Sequence, residues 1–245
     1  MNLSYAELSI AGPCQSNQDS VGFWQSDASN ANLAIALLAD GVGSLGSGDI
    51  ASRLAVEMAL RTFRDIATPM SLRRRVAESV GAANWAVYDK GFESDGPGRI
   101  ATTLAVAAFG GGEMVVGNVG DSRVYRLRGL IFEQLSVDHS LVGMQRRFGK
   151  ISDAESRAVD YRHVITRGLG VDPQVRVDVR EFDAMPGDIV MLCCDGLYDV
   201  VDDEELASVL TGTEPSQACQ ELVALALARE TRDNVSVQVI YVVEV

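Results

Sequence analysis

The chain predicts an α+β fold in which antiparallel sheets carry helices on their outer faces. Three observations predict it. Short apolar runs rich in Val, Ile and Leu recur along the 245 residues, each bounded by turn residues. Helical patterns come two at a time instead of following each strand, which argues against a doubly wound parallel sheet. Tight turn signals join neighbouring runs, Gly110-Gly111-Gly112 being the clearest hairpin.

In chain order, a strand-rich start leads to the first long apolar run at 33–38. A helix over 47–65 then places Ile50, Leu54, Val56, Met58, Leu60 and Phe63 on one broad face. A second helix over 71–90 starts from Ser71 as its N-cap and carries Val76, Val80, Ala83, Val87 and Tyr88. Strands are expected at 103–109, 114–119 and 124–127. The segment 139–171 is polar and basic, with Arg146, Arg147, Lys150, Arg157, Arg162 and Arg167, and reads as an excursion over the surface. Strands at 175–182 and 189–194 follow. A helix over 202–210 opens on four acidic residues that suit its positive end. The next, over 215–229, starts with Pro, and the last strand spans 235–243.

Composition narrows the function. With 47% hydrophobic residues the chain can bury a sizeable core. A net charge of -13 argues against nucleic-acid binding, which needs a basic face. Two His are too few for a His-rich zinc centre, leaving carboxylates, which prefer hard cations such as Mg²⁺ or Mn²⁺. Cys14, Cys193, Cys194 and Cys219 form no CxxC pair. Vicinal Cys193 and Cys194 should point to opposite faces of a strand and act as small core residues, which suits a reducing cytoplasm. The N-terminal residues show no signal-peptide pattern, and no apolar run approaches the ~20 residues of a membrane span.

Several carboxylates fall just beyond apolar runs. Asp40 precedes Gly41, Asp195 precedes Gly196, Asp121 sits in Gly120-Asp121-Ser122-Arg123, Asp233 precedes Asn234, and Asp19 closes Asn17-Gln18-Asp19. Asp-Gly is an ordinary turn dipeptide. Two such pairs, each after a strongly apolar run, point instead to a shared cation site, because clustered carboxylates repel unless cations lie between them.

Further segments complete a series: Gly43 and Gly46 after the first Asp-Gly, Ala51-Ser52, Thr102-Thr103-Leu104, Asp138-His139-Ser140 and Thr166-Arg167-Gly168-Leu169-Gly170. On these motifs, in this order, nearly the whole chain resembles the metal-dependent, PP2C-like (PPM) protein phosphatase family in its compact bacterial Ser/Thr form. The resemblance implies a single domain over 1–245: a four-layer αββα sandwich of two antiparallel sheets flanked by helix pairs, with a flap at about 139–163. It implies two Mn²⁺ or Mg²⁺ ions. Asp40 would bridge them, the Gly41 carbonyl would bind one, and Asp195 and Asp233 would hold the other. Asp121 and Asp195 would take a third ion where one binds. Asp19 would act through a water or from behind the ligands, and Asn234 would support them. Water activated by the two ions would hydrolyse phosphoserine and phosphothreonine without a covalent intermediate.

Two departures stand out. Many relatives place an Arg that grips the phosphate three residues before Asn17; here that residue is Cys14, so weaker phosphate binding is expected, and Cys14→Arg should alter the KM for a phosphopeptide. Val42 stands where some relatives carry a His. His139 is expected to be structural, and His163 solvent-exposed or bound to backbone. The basic residues around Arg146 and Arg147 either steer a phosphorylated substrate or form the outer face of a helix with Leu141, Met144 and Phe148 turned inward. The expected partners are a phosphorylated protein and a cognate Ser/Thr kinase, with no nucleic acid and no membrane, acting on a cytoplasmic monomer. Two alternatives stay open: a weakly active relative that binds phosphoproteins, and a phosphatase of phosphotyrosine or of a non-protein ester.

Overall fold

The structure is a computed structural model that describes residues 1–26, 32–42, 47–67, 69–94, 100–152, 155 and 159–244. Gly43, Gly46 and Arg157 lie outside the described residues. Two antiparallel sheets stack face to face. The first has the strand order β1 (Asn2–Ile10), β11 (Val235–Glu244), β10 (Ile189–Cys193), β7 (Arg123–Arg128) and β8 (Ile131–Gln134). The second runs β2 (Asp19–Gln25), β3 (Ala34–Val42), β5 (Leu104–Gly110), β6 (Glu113–Val119) and β9 (Asp178–Asp183), with the two-residue β4 (Ala101–Thr102) paired to the end of β3.

Alternation of side chains explains why these runs are strands. In β3, Ile35, Leu37 and Ala39 face the helices α1 (Gly48–Asp65) and α2 (Leu72–Ser94), while Ala34, Ala36 and Leu38 face the other sheet. A strand buried on both faces reads as a continuous apolar run, as this one does. Cys193 and Cys194 part as expected, the first into the helix-covered face of the first sheet and the second into the space between sheets. That outer face is covered by α4 (Asp195–Tyr198), α5 (Asp203–Leu210) and α6 (Pro215–Ala228). The three apolar layers produce an αββα sandwich.

Local signals operate as the sequence suggests. Gly111 and Gly112 both have positive φ, +60° and +80°, as a two-residue hairpin turn requires. The Ser71 hydroxyl accepts from the Arg74 N–H at 3.3 Å. Asp202 caps α5 through a reciprocal capping box with Glu205. Pro215 opens α6.

Other expectations need correction. The strand expected from 175 begins at Asp178. The helix α3 (Leu141–Arg147) does not turn Leu141, Met144 and Phe148 inward: they are 37%, 46% and 69% exposed, and Val142 is the buried residue. The helix is capped by Ser140, whose hydroxyl accepts from the Gly143 N–H, and it seats one side chain instead of a stripe. Among the described residues, no helix is long and apolar enough to cross a membrane.

Candidate metal centre

Antiparallel pairing brings the flagged carboxylates to one end of the sandwich. Asp19 starts β2 and Asp40 lies near the end of β3, where the two are directly paired in the register. Asp121 lies in the link from β6 to β7, which crosses from one sheet to the other. Asp195 follows β10 and Asp233 precedes β11, neighbouring strands of the first sheet. Asp40, Asp121, Asp195 and Asp233 line one cavity of about 620 Å³.

Backbone and side-chain bonds hold Asp40, Asp121 and Asp19 in place. The Asp40 N–H donates to the Thr103 hydroxyl at 2.9 Å, and its carbonyl accepts from the Thr102 hydroxyl at 2.7 Å and the Thr103 N–H at 2.8 Å. Asp19 is buried and accepts from the Ser236 hydroxyl at 2.6 Å. The Tyr198 hydroxyl donates to the Asp121 carbonyl at 3.1 Å, tying the Asp121 link to the helix that begins with Asp195. The Arg123 guanidinium lies 3.5 Å from the centre of the Tyr198 ring and pairs with buried Asp138 at 2.7 Å.

His139 is structural, as expected. Its Nδ1 accepts from the Gly120 N–H at 3.1 Å, and the His139 backbone N–H donates to the Gly120 carbonyl at 2.9 Å. Burial lowers its pKa, consistent with the neutral ring that this contact requires. Gly120 itself has φ +102° and sits against Thr103, so only glycine fits there.

Asn234 is a clip. Its amide donates to the Ala11 and Ser16 carbonyls at 2.9 Å each, and its oxygen accepts from the Gln18 N–H at 2.7 Å. It therefore fixes the Asn17-Gln18-Asp19 motif against Asp233. The Cys14 thiol reaches the Arg232 carbonyl at 3.5 Å. Burial, Asp233 and Asp19 raise its pKa, so nothing activates it as a nucleophile.

The electrostatics record crowding. Removal from water, then Asp19, Asp195, Asp121 and Asp233, push the Asp40 carboxyl well above its ordinary range. Burial raises Asp19 to about 7, against hydrogen bonds that lower it. Asp121 rises through burial and its Asp195 and Asp138 neighbours, and Asp233 through burial and Asp195. Asp195 Oδ1 is buried with no hydrogen-bond partner among the described residues. Such a cluster of oxygen donors, one of them unpaired, fits hard divalent cations.

His163 is exposed, as expected, but sequence reasoning missed its partner: its Nδ1 lies 3.1 Å from Asp195 Oδ2, and that contact raises its pKa. One ligand atom each from His163, Asp195 and Asp199 fall within 4.8 Å of one another. No local pattern relates His163 to Asp195, because the excursion that carries it folds back over the cavity.

The architecture agrees with that of known proteins. The protein phosphatase 2C family model matches residues 13–228. The serine/threonine phosphatase stp of Listeria monocytogenes is 30% identical over 231 residues, covering 90% of this chain and 88% of that protein. The crystal structure of the Mycobacterium tuberculosis serine/threonine phosphatase PstP/Ppp superposes with a TM-score of 0.86 at 31% identity, covering 98% of both chains. The PstP catalytic domain solved in complex with two manganese ions gives a TM-score of 0.82 at 31% identity, over 98% of this chain and 97% of that one. With most of its length matched by the family model, and with this fold and carboxylate arrangement, the chain belongs to the protein phosphatase 2C family.

Proposed function

We propose that the carboxylate cluster at the sandwich end is a binuclear metal site at which this chain hydrolyses phosphoserine and phosphothreonine in proteins. The chain is a metal-dependent protein serine/threonine phosphatase, the activity its relatives carry in their names. One observation carries the site assignment: Asp40, Asp121, Asp195 and Asp233, brought together from both sheets, line one cavity, with a buried Asp195 oxygen left unpaired among the described residues. Asp40 and the Gly41 carbonyl would hold one ion, Asp40 being shared, and Asp195 and Asp233 the other. Asp121 with Asp195 would take a third where one binds. Asp19 acts from behind Asp40 or through a water, and Asn234 holds the loop that carries it. Bound there, Mn²⁺ or Mg²⁺ would neutralise phosphoryl charge and make a water nucleophilic near neutral pH.

The chain's own residues prepare that chemistry. Thr102 and Thr103 fix the Asp40 backbone and so set the point from which its carboxylate projects. Tyr198 and His139 brace Asp121 and Gly120. Segment 139–163 would serve as a flap, with its residues Asp160, Arg162 and His163 lining the cavity. The whole chain acts as one catalytic domain, a cytoplasmic monomer that opposes a Ser/Thr kinase.

The test is turnover of phosphothreonine, phosphoserine and phosphotyrosine peptides with and without Mn²⁺. Asp40→Asn should lower kcat/KM by about 10³ or more, since several kcal/mol of charge stabilisation depend on it. Metal-independent turnover, or full activity in Asp40→Asn, would overturn the assignment. A preference for phosphotyrosine would redirect the substrate class.

A further inference from the structure

We propose that Arg232 is the side chain that grips the substrate's phosphoryl group in this chain, an inference that rests on the phosphatase reading above. A phosphate monoester entering this cavity meets an acidic wall, so a fixed cation at the mouth has a strong effect on binding. Among the described residues, three basic side chains line the cavity: Arg162, His163 and Arg232. Two are already engaged. Arg162 Nε lies 3.3 Å from Asp199, and His163 lies 3.1 Å from Asp195. The exposed Arg232 guanidinium has no hydrogen bond or ion pair among the described residues. Its planar fork of donors is unengaged and matches a phosphate better than the other basic side chains that line the cavity.

The backbone at 232 is pinned on both sides, so the side chain is presented from a fixed point. The Thr231 N–H donates to the Ala226 carbonyl at 3.1 Å, and its hydroxyl donates to the Gly196 carbonyl at 2.8 Å. On the other side, Asn234 is clipped to Ala11, Ser16 and Gln18. The Cys14 thiol contacts the Arg232 carbonyl, so the two residues are neighbours, and of the two it is Arg232 that lines the cavity. A guanidinium on residue 232 can therefore reach a cavity that residue 14 does not line.

The experiment uses the Mn²⁺-loaded protein, with inorganic phosphate as the binding probe and a phosphothreonine peptide as substrate. Arg232→Ala should raise the KM for the peptide and the Ki of phosphate together, about tenfold or more, with kcat changed less than about threefold. Calorimetric titration of phosphate should show the same loss without turnover. Arg232→Lys keeps charge but loses the fork, and should recover only part of the affinity. Cys14→Arg should lower the Ki in the native background and restore most of the loss in Arg232→Ala. An unchanged Ki and phosphate titration in Arg232→Ala, with the native protein active, would overturn the role of Arg232 alone. Absence of Mn²⁺-dependent turnover in the native protein would overturn the phosphatase reading and this inference with it.

Discussion

Asp40-Gly41 lies within the last residues of β3, where Gly41 pairs with Thr102, whereas Asp195-Gly196 opens the four-residue helix α4. The dipeptide is the same and the backbone is not. What the two sites share is a crowding neighbour. A Cβ on Gly41 would sit 2.2 Å from the Gly48 carbonyl oxygen at the start of α1 and 2.6 Å from the Gln18 carbonyl oxygen. A Cβ on Gly196 would sit 2.0 Å from the Asn234 carbonyl oxygen. Neither glycine has a positive φ, so in both places the residue is needed for close approach of another segment, not for turn conformation. The comparison teaches that each half of the carboxylate cluster is locked by its own packed backbone: the Asp40 half against α1 and the Asn17-Gln18-Asp19 motif, the Asp195 half against the strand that follows Asp233.

Breaking either lock should give the largest stability effect. Gly41→Ala and Gly196→Ala each force backbone apart and should cost about 1–3 kcal/mol or more. Thermal melts would show this as a drop of several degrees, at roughly 2–4 °C per kcal/mol for a chain of this size. Gly81 lies inside α2 with nothing within 4 Å of a built Cβ. Gly81→Ala should therefore raise stability by about 0.5–1 kcal/mol and serves as the internal control. Equal melting temperatures for all three variants would remove the crowding account.

A smaller effect tests whether the two halves repel one another across the cavity. A carboxyl whose pKa is raised by folding contributes stability that is full below its unfolded value and lost as pH rises through its folded value. For Asp19 that window runs from its ordinary 3.8 to about 7, and Asp40, Asp121 and Asp233 are displaced in the same direction. The metal-free protein should melt several degrees higher near pH 5 than near pH 7.5. Mn²⁺ should flatten or reverse this dependence, because cations take the place of protons. Melts in chelator and in Mn²⁺ across that range decide it; a metal-free protein that is more stable at pH 7.5 would contradict the mutual repulsion.

The smallest effect concerns the segment above the cavity. Arg147 is exposed on α3, and Arg146 lies 3.9 Å from Asp138. Charge reversal at both should lower kcat/KM for a protein substrate a few-fold at low salt and leave a short phosphopeptide nearly unaffected. Loss of the difference at high ionic strength would sharpen the steering account. An unchanged kcat/KM for the protein substrate at low salt would end it.

The strands and helices that bury an unbroken apolar face were legible because that pattern is local: β3, β5, β6, β10 and β11 announce themselves by their runs. β1, β2 and β8 did not, since each is only partly buried and mixes polar residues with apolar ones. The carboxylates were legible because Gly, Ser or Asn stands beside most of them at the end or start of an apolar run.

Sequence by itself therefore determined the layer plan and the set of acidic residues, because strand period, caps and turn residues act over a few positions. Only the tertiary structure decided which residues share the cavity. It turned Leu141, Met144 and Phe148 outward, laid His163 against Asp195, and set Cys14 beside Arg232. Those outcomes join positions up to 218 residues apart, through backbone packing that no local periodicity encodes.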